Sequence, residues 1–278
     1  MTDYRAQLGD QIADADPLRS GRVGVRPNSN GNLRTPDDAT ERLLSKYREN
    51  RLLCVMAADD LARLQPNLKK FSMAPGAVLH APGQPIEHVY FPVSGMVSLL
   101  AVMRTGEQIE TATIGREGVL GASIGCDGTE SVGQAMVQIE GIAWQLQTSK
   151  FLEMYQASAT FRTLMNRFQN LLLLQAQQWA ACHALHTVTP RLCRWLLQSQ
   201  DITQSDMVPL TQDALSHVLG VRRTTVTSCA RALQTTGLIQ YRRGHIKILN
   251  RDGLKDLACE CYEAHSDRER AAFATIAE

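Results

Sequence analysis

The sequence predicts an α+β fold in three parts: a strand-rich roll, one long helix, and a compact helical unit closed by a β-hairpin. Three observations predict it. Eleven of the 19 glycines fall between Gly76 and Gly141, and none lies between Gly141 and Gly220. Glycine at short, regular spacing marks turns between short strands. From Phe161 to Thr187 there is neither glycine nor proline, enough for a helix of about 40 Å at ~1.5 Å per residue. From Leu210 to Leu249 the pattern reads helix, glycine turn, helix, hairpin.

The elements follow in order. Pro17 to Pro36 is rich in Gly, Asn and Ser, with four arginines and no acid. Such a composition buries too little apolar surface to offset ordering, so residues 1–40 read as a disordered tail. Asp38 or Thr40 is placed to cap a helix carrying Leu43, Leu44 and Tyr47, continued by Leu52, Leu53 and Met56. AADDLARLQPNL reads as a second short helix.

From Phe71 the apolar period becomes two. Val97, Leu99, Ala101 and Met103 alternate with Ser98, Leu100 and Val102, as in a strand buried mostly on one face. AMVQIEG and AWQLQ repeat the pattern, and Pro75, Pro82, Pro85 and Pro92 suit strand ends and turns. Residues 41–160 therefore form a small roll or jelly roll. In the long helix, 161–187, Leu164, Phe168, Leu171, Gln175, Gln178 and Cys182 recur at spacings of three and four. Packing on the roll is one reading of that stripe. Its length favours the other, a coiled-coil seam between two copies of the chain.

Residues 188–252 carry the functional signal. Thr211 can cap a helix through Ala214, Leu215, Val218 and Leu219, Gly220 supplies a turn, and a second helix starts near Arg222 with Val226, Ala230 and Leu233 buried. Two short helices about a glycine turn form a helix-turn-helix. Leu238–Tyr241 and Ile246–Leu249, turning at Arg243–Gly244, form a wing. The whole chain has a net charge of +1. Met207 to Arg251 alone holds seven basic residues and one acid, a local +6 that leaves −5 elsewhere. That is an electrostatic footprint for a phosphate backbone. Arg222, Arg223, Thr224, Thr225, Thr227, Ser228 and Arg231 lie on the second helix, and Arg242, Arg243 and His245 on the wing. At a recognition helix, arginine can contact guanine O6 and N7 together, contributing about 1–3 kcal/mol of discrimination.

Other classes find less support. No apolar run reaches the ~18–20 residues of a membrane span, and MTDYRAQLGD has no apolar signal core. Seven cysteines without such a signal read as reduced thiols of a cytoplasmic protein. No catalytic Ser/His/Asp arrangement, carboxylate pair or phosphate-cradling glycine loop stands out, so no enzyme activity is expected.

The order of parts resembles the Crp/Fnr family of bacterial transcription factors. The resemblance runs from about Asn50 to Asn250 and rests on PGAVLHAPGQPIEHVYFPVSGMVSLLAV, GREGVLG, VTPRLCRWLL and the helix-turn-helix itself. It implies a cyclic-nucleotide-binding-like β-roll, a dimerisation helix, a hinge near Leu185–Thr189 and a winged helix-turn-helix. As partners it implies double-stranded DNA, a second copy of the chain and RNA polymerase, and no membrane. In cyclic-AMP-binding members a Glu meets the ribose and an Arg-Ser/Thr pair holds the phosphate. Here Val119, in Gly118-Val119-Leu120, takes the Glu position, and Gly133 and Gln134 take the pair's positions. Ala176 and Gln177 stand where the long helix meets the base, and Arg116-Glu117 either lines the pocket or forms a surface turn, the turn being slightly favoured. Without an arginine a buried phosphate is unpaired, so the expected effector is not cyclic AMP. Arg223-Thr224-Thr225-Val226 also lacks the Glu common in relatives reading a TGTGA-like half-site, so the operator is expected to differ there.

Two alternatives remain: a cyclic-nucleotide-binding regulatory protein, and a redox- or metal-responsive regulator using Cys182, His183, His186 and Cys193 near the hinge. Cys259-Glu-Cys261 offers two ligands where structural zinc uses four, so neither a metal nor a cofactor is predicted. Residues 253–278 read as an amphipathic helix (Leu254, Leu257, Cys261) with a solvated end.

Overall fold

A computed structural model describes residues 45–126 and 130–277. The predicted tail and the proposed caps Asp38 and Thr40 lie outside the described residues. Two short helices, α1 (Arg51–Val55) and α2 (Ala58–Leu64), lead into the roll. Asn50 starts the first of them and anchors the region. Its side-chain oxygen accepts from the Leu53 N–H at 3.0 Å, while Nδ2 donates to the carbonyls of Pro92 at 2.8 Å and Gly118 at 2.9 Å.

The roll comprises β1 (Lys69–Met73), β2 (Val78–His80), β3 (His88–Pro92), β4 (Met96–Val102), β5 (Gln108–Ile114), β6 (Gln134–Ile139) and β7 (Gly141–Gln147). They form two antiparallel sheets, ordered β1-β7-β3 and β2-β6-β4-β5. Period-two alternation sends Val89, Phe91, Val97, Ile114, Val137 and Leu146 into a common core. Each such side chain, fully removed from water, contributes roughly 1.5–3 kcal/mol.

One expectation for β4 is corrected. Met96, Val97 and Ser98 are consecutive and all buried, so its start is covered on both faces. Val97 faces the roll core, whereas Met96 joins Ile139 in a second core built under the C-terminal unit. The outer face that alternation assigned to solvent is the docking surface of that unit.

Helix α3 (Thr148–Ala157) precedes the long helix α4 (Ala159–Leu185). Ser158 caps α4, accepting from the Phe161 N–H at 3.1 Å, and is tied to Asp60 at 2.9 Å. The long helix is there, but the predicted seam is corrected. Leu164, Phe168, Leu171, Gln175 and Cys182 are all buried within the single chain. Gln178 is engaged as well, donating to Cys261 Sγ at 3.1 Å and accepting from Arg268 at 2.8 Å. The length argument failed because a second element covers what the roll cannot: the C-terminal helix α9 packs along α4. It reaches back to the roll, where Phe273 joins the core and lies under the Arg51 guanidinium at 4.1 Å, with Arg51 paired to Glu269. The tail's expected solvated end is corrected by the same contacts as far as Phe273.

The C-terminal unit contains α5 (Val188–Thr203), β8 (Met207–Pro209), α6 (Gln212–Leu219), α7 (Arg223–Thr235), β9 (Ile239–Arg242), β10 (His245–Ile248) and α8 (Arg251–Leu257), followed by α9 (Cys261–Ala277). Thr211 caps α6, accepting from the Ala214 N–H at 3.2 Å, and Gly220 ends it at φ +61°, a left-handed conformation that glycine adopts without strain. The wing is a two-residue hairpin with Arg243 at φ 49° and Gly244 at φ 78°. Positive φ at both central residues matches the twist of the flanking strands. Strand β8 extends it to the order β8-β10-β9.

Candidate nucleic-acid interface and effector region

Amphipathic folding of α6 and α7 sets the interface. Val226, Ala230 and Leu233 bury one face of α7 against Leu215, Val218 and Leu219. The opposite face is turned outward, with Arg222, Arg223, Thr224, Ser228 and Arg231 exposed and Thr225 half-buried. Arg242, Arg243 and His245 are exposed around the wing turn. The first turn of α7 and the wing thus present cations from two separate elements of one unit. Thr227 is different. It is half-buried, and its hydroxyl lies 2.8 Å from Gln212 Oε1 and 2.9 Å from the Arg223 carbonyl. That group joins the two helices.

The unit sits on the outer face of β4 and β5. Gln198 donates to Thr113 Oγ1 at 2.6 Å, and Trp195 Nε1 donates to Glu110 Oε2 at 3.3 Å, where Ser98 also donates. Glu110 is wholly buried, and burial raises its carboxyl to about 7. Arg191 donates both to the carbonyl of Leu219, at the end of α6, and to His183 Nδ1. With Nδ1 accepting, the His183 ring proton lies on Nε2 and donates to the Glu110 carbonyl at 3.0 Å. The side chain of Ile109 packs under Gly220, where an added Cβ would lie 2.7 Å from Ile109 Cδ1. The helix-turn-helix is thus keyed to β5 by its glycine turn.

The residues read as an effector pocket divide into two groups. Arg116 and Glu117 line a cleft of about 380 Å³ shared with Arg51, Trp179, Arg194, His265 and Glu269. The slight preference for a surface turn at Arg116-Glu117 is therefore corrected. Burial, followed by the neighbouring Glu269, raises the Glu117 carboxyl to about 7. His265 is lowered to about 4 by burial and by Arg194. The Arg194 guanidinium is itself buried, stacked 3.9 Å from the Trp179 ring.

Gly118, Val119, Gly133, Gln134, Ala176 and Gln177 do not line this cleft. Val119 is fully buried in the apolar core, and the Phe168 ring packs so tightly on Gly118 that a Cβ there would lie 2.3 Å away. A Cβ at Gly133 would meet the Leu100 carbonyl at 2.7 Å. Ala176 is half-buried and Gln177 exposed.

Sequence reasoning missed Arg51, Arg194, His265 and Glu269, which come from three different elements, α1, α5 and α9, and are brought together only by the tertiary fold. It also missed that Cys182, His186, Cys259 and Cys261 converge, their ligand atoms all within 4.8 Å of one another. The signal was present as two short motifs 77 residues apart, but nothing in the chain announced their meeting.

A β-roll, a long helix and a basic winged helix-turn-helix define the class: a transcription regulator with a sensor-type domain. The description "Cyclic nucleotide-binding domain" matches residues 70–158, and "Crp-like helix-turn-helix domain" matches residues 190–257. The chain belongs to the Crp/Fnr family of regulators. It is 25% identical over 217 residues to the global nitrogen regulator of Synechococcus elongatus, covering 73% of this chain and 94% of that one. FixK2 of Bradyrhizobium japonicum shares the fold at TM-score 0.59 and 19% identity, covering 69% of this chain and 98% of that one. The c-di-GMP-responsive global regulator CLP of Xanthomonas campestris does so at TM-score 0.57 and 16% identity, covering 69% and 99%. No helix among the described residues is long and apolar enough to cross a membrane.

Proposed function

We propose that the chain acts as a homodimer on a two-fold symmetric operator, reading each half-site with the first turns of α7 and gripping the backbone with the wing. The observation that carries this reading is the outward row of Arg222, Arg223, Thr224 and Ser228 beside Arg242, Arg243 and His245. With the original seam residues buried inside the chain, the dimer forms through the opposite face of α4. Leu173, Gln177, Ala180, Ala181 and Ala184 are exposed there, and Leu173 is 55% exposed. Small side chains at 180, 181 and 184 let two such helices approach closely. RNA polymerase completes the set of proposed partners.

The effector is something other than cyclic AMP, or none. The cyclic nucleotide implied by the family does not fit these residues. An arginine for its phosphate has no room at Gly133, where the Leu100 carbonyl stands in the way, and Val119 offers the ribose no acceptor from within the apolar core.

The test is selection of bound duplexes from a random pool, with affinity followed against salt. A two-fold symmetric consensus, a dimer in light scattering and a steep salt slope are expected. Arg223→Ala should flatten preference at one base pair of each half-site while retaining weaker, salt-sensitive binding. A monomer with no DNA affinity would overturn the reading. Calorimetric titration with cyclic AMP and cyclic di-GMP tests the effector, and tight cyclic AMP binding would refute its exclusion.

A further inference from the structure

Two pairs of residues distant in sequence meet where the long helix ends. Cys182 lies in the last turn of α4 and His186 caps it, with the His186 N–H donating to the Cys182 carbonyl at 3.1 Å. A spacing of four puts both side chains on one side of the helix end. Cys259 and Cys261 flank Glu260 in the bend between α8 and α9, and the Cys259 N–H reaches the Pro190 carbonyl. The Sγ atoms of Cys182 and Cys259 are 3.5 Å apart, and Cys261 Sγ is 3.6 Å from His186 Nδ1. All three cysteines are buried.

We propose that Cys182, His186, Cys259 and Cys261 form a tetrahedral zinc site that fastens the C-terminal helix to the hinge between the roll and the DNA-binding unit. With Zn–S near 2.3 Å and Zn–N near 2.0–2.1 Å, the edges of a tetrahedral site are about 3.8 Å between sulfurs and about 3.6 Å between sulfur and nitrogen. The two close pairs match those edges. Three cysteines and one histidine form a closed structural ligand set with no position left for substrate. Thiolates and an imidazole also favour zinc over hard cations. The cluster is too compact for a polynuclear iron–sulfur centre, whose thiolates sit on separate irons.

The surroundings suit a metal. Zinc with three thiolates carries one net negative charge, and the buried guanidinium groups of Arg191 and Arg194 lie close enough to Cys182 and Cys259 to supply counter-charge. Gln178 Nε2 donates to Cys261 Sγ at 3.1 Å, the kind of outer contact that orients a ligand. Metal binding displaces the remaining thiol protons to solvent. A Cys182–Cys259 disulfide is the competing use of the same atoms, but it would leave buried Cys261 and half-buried His186 side by side without a role.

This site does not depend on the DNA-binding reading and is tested separately. The full chain, expressed without a histidine tag, is purified anaerobically in reductant and its metal measured by mass spectrometry. One zinc per chain is expected. Replacing it with cobalt should give the intense visible bands of a tetrahedral thiolate complex. Cys182→Ser and Cys261→Ser should lose the metal, Cys193→Ser and Cys126→Ser should keep it, and His186→Cys should retain it with a fourth thiolate. Should the serine variants fail to fold, mercurial release of zinc from the intact wild type should raise hydrogen exchange in residues 259–277 while the roll stays protected. Metal-free protein with seven reactive thiols, or a Cys182–Cys259 disulfide in the reduced preparation, would overturn the proposal.

Discussion

Replacing Glu110 with glutamine tests how the DNA-binding unit is held to the roll. The Glu110 carboxyl is enclosed between β5 and α5, accepting from Ser98 and Trp195. It titrates at about 7 in the fold against an ordinary 4.5. At about 1.4 kcal/mol per decade of proton affinity, that difference corresponds to roughly 3 kcal/mol. The folded state prefers the protonated form, so this contribution is complete below about pH 4.5 and is lost as pH rises through about 7. Glu110→Gln keeps a neutral acceptor for both donors and removes the ionisation. Urea unfolding followed by tryptophan fluorescence, at several values from about pH 5 to about pH 8, measures the effect. Between those limits the wild type should lose about 2.5 kcal/mol relative to the variant, the first part of the loss lying below about pH 5. Glu117, raised by its own burial, is present in both proteins and cancels. Parallel stability profiles would show that Glu110 does not ionise across this range in the fold, and the argument would fail.

Three further outcomes are expected. Asn50→Ala strips a helix cap and leaves the buried carbonyls of Pro92 and Gly118 without their donor, costing about 3 kcal/mol in thermal or urea unfolding. Gly220→Ala places a methyl against Ile109 at a positive φ and should destabilise the chain by about 1–2 kcal/mol or more; combining it with Ile109→Ala relieves the steric part only, which a double-mutant cycle measures. Arg242→Ala should weaken binding to all duplexes alike and reduce the salt slope by about one, whereas a change in sequence preference would move that residue from backbone to base contact.

Much of the fold was legible because it is locally encoded. Thr211, Gly220 and the Arg243–Gly244 turn are signals whose meaning depends on a few neighbours, and all three appear where the sequence places them. The wing strands fall within one residue of expectation. What failed was assignment of faces. The stripe from Leu164 to Cys182 is apolar whether its cover is a second chain or α9, so periodicity shows that the face is buried and says nothing of what buries it. The same ambiguity hid the second cover on β4, where Ser98 and Met96 flank a core residue. Of the interface, the exposed arginines of α7 were legible from charge and position. The bond from the Thr227 hydroxyl to Gln212, fifteen residues earlier, was not. The cleft and the cysteine–histidine cluster were hidden for a like reason, their members arriving from elements joined only by the tertiary fold.

The closure of the roll by α9 bears on how the chain is made. Arg51 meets Glu269 across 218 residues, and Phe273 fills part of the roll core. A ribosome therefore finishes all seven strands and the whole winged unit before the last core side chain exists. Until then the buried stripe of α4 stands open, an adhesive surface on a nascent chain. Bringing such distant segments together is slow, and incomplete chains with exposed apolar faces are prone to aggregate. Truncation near the C-terminus should thus be felt first in yield of soluble protein, before any question of operator binding arises.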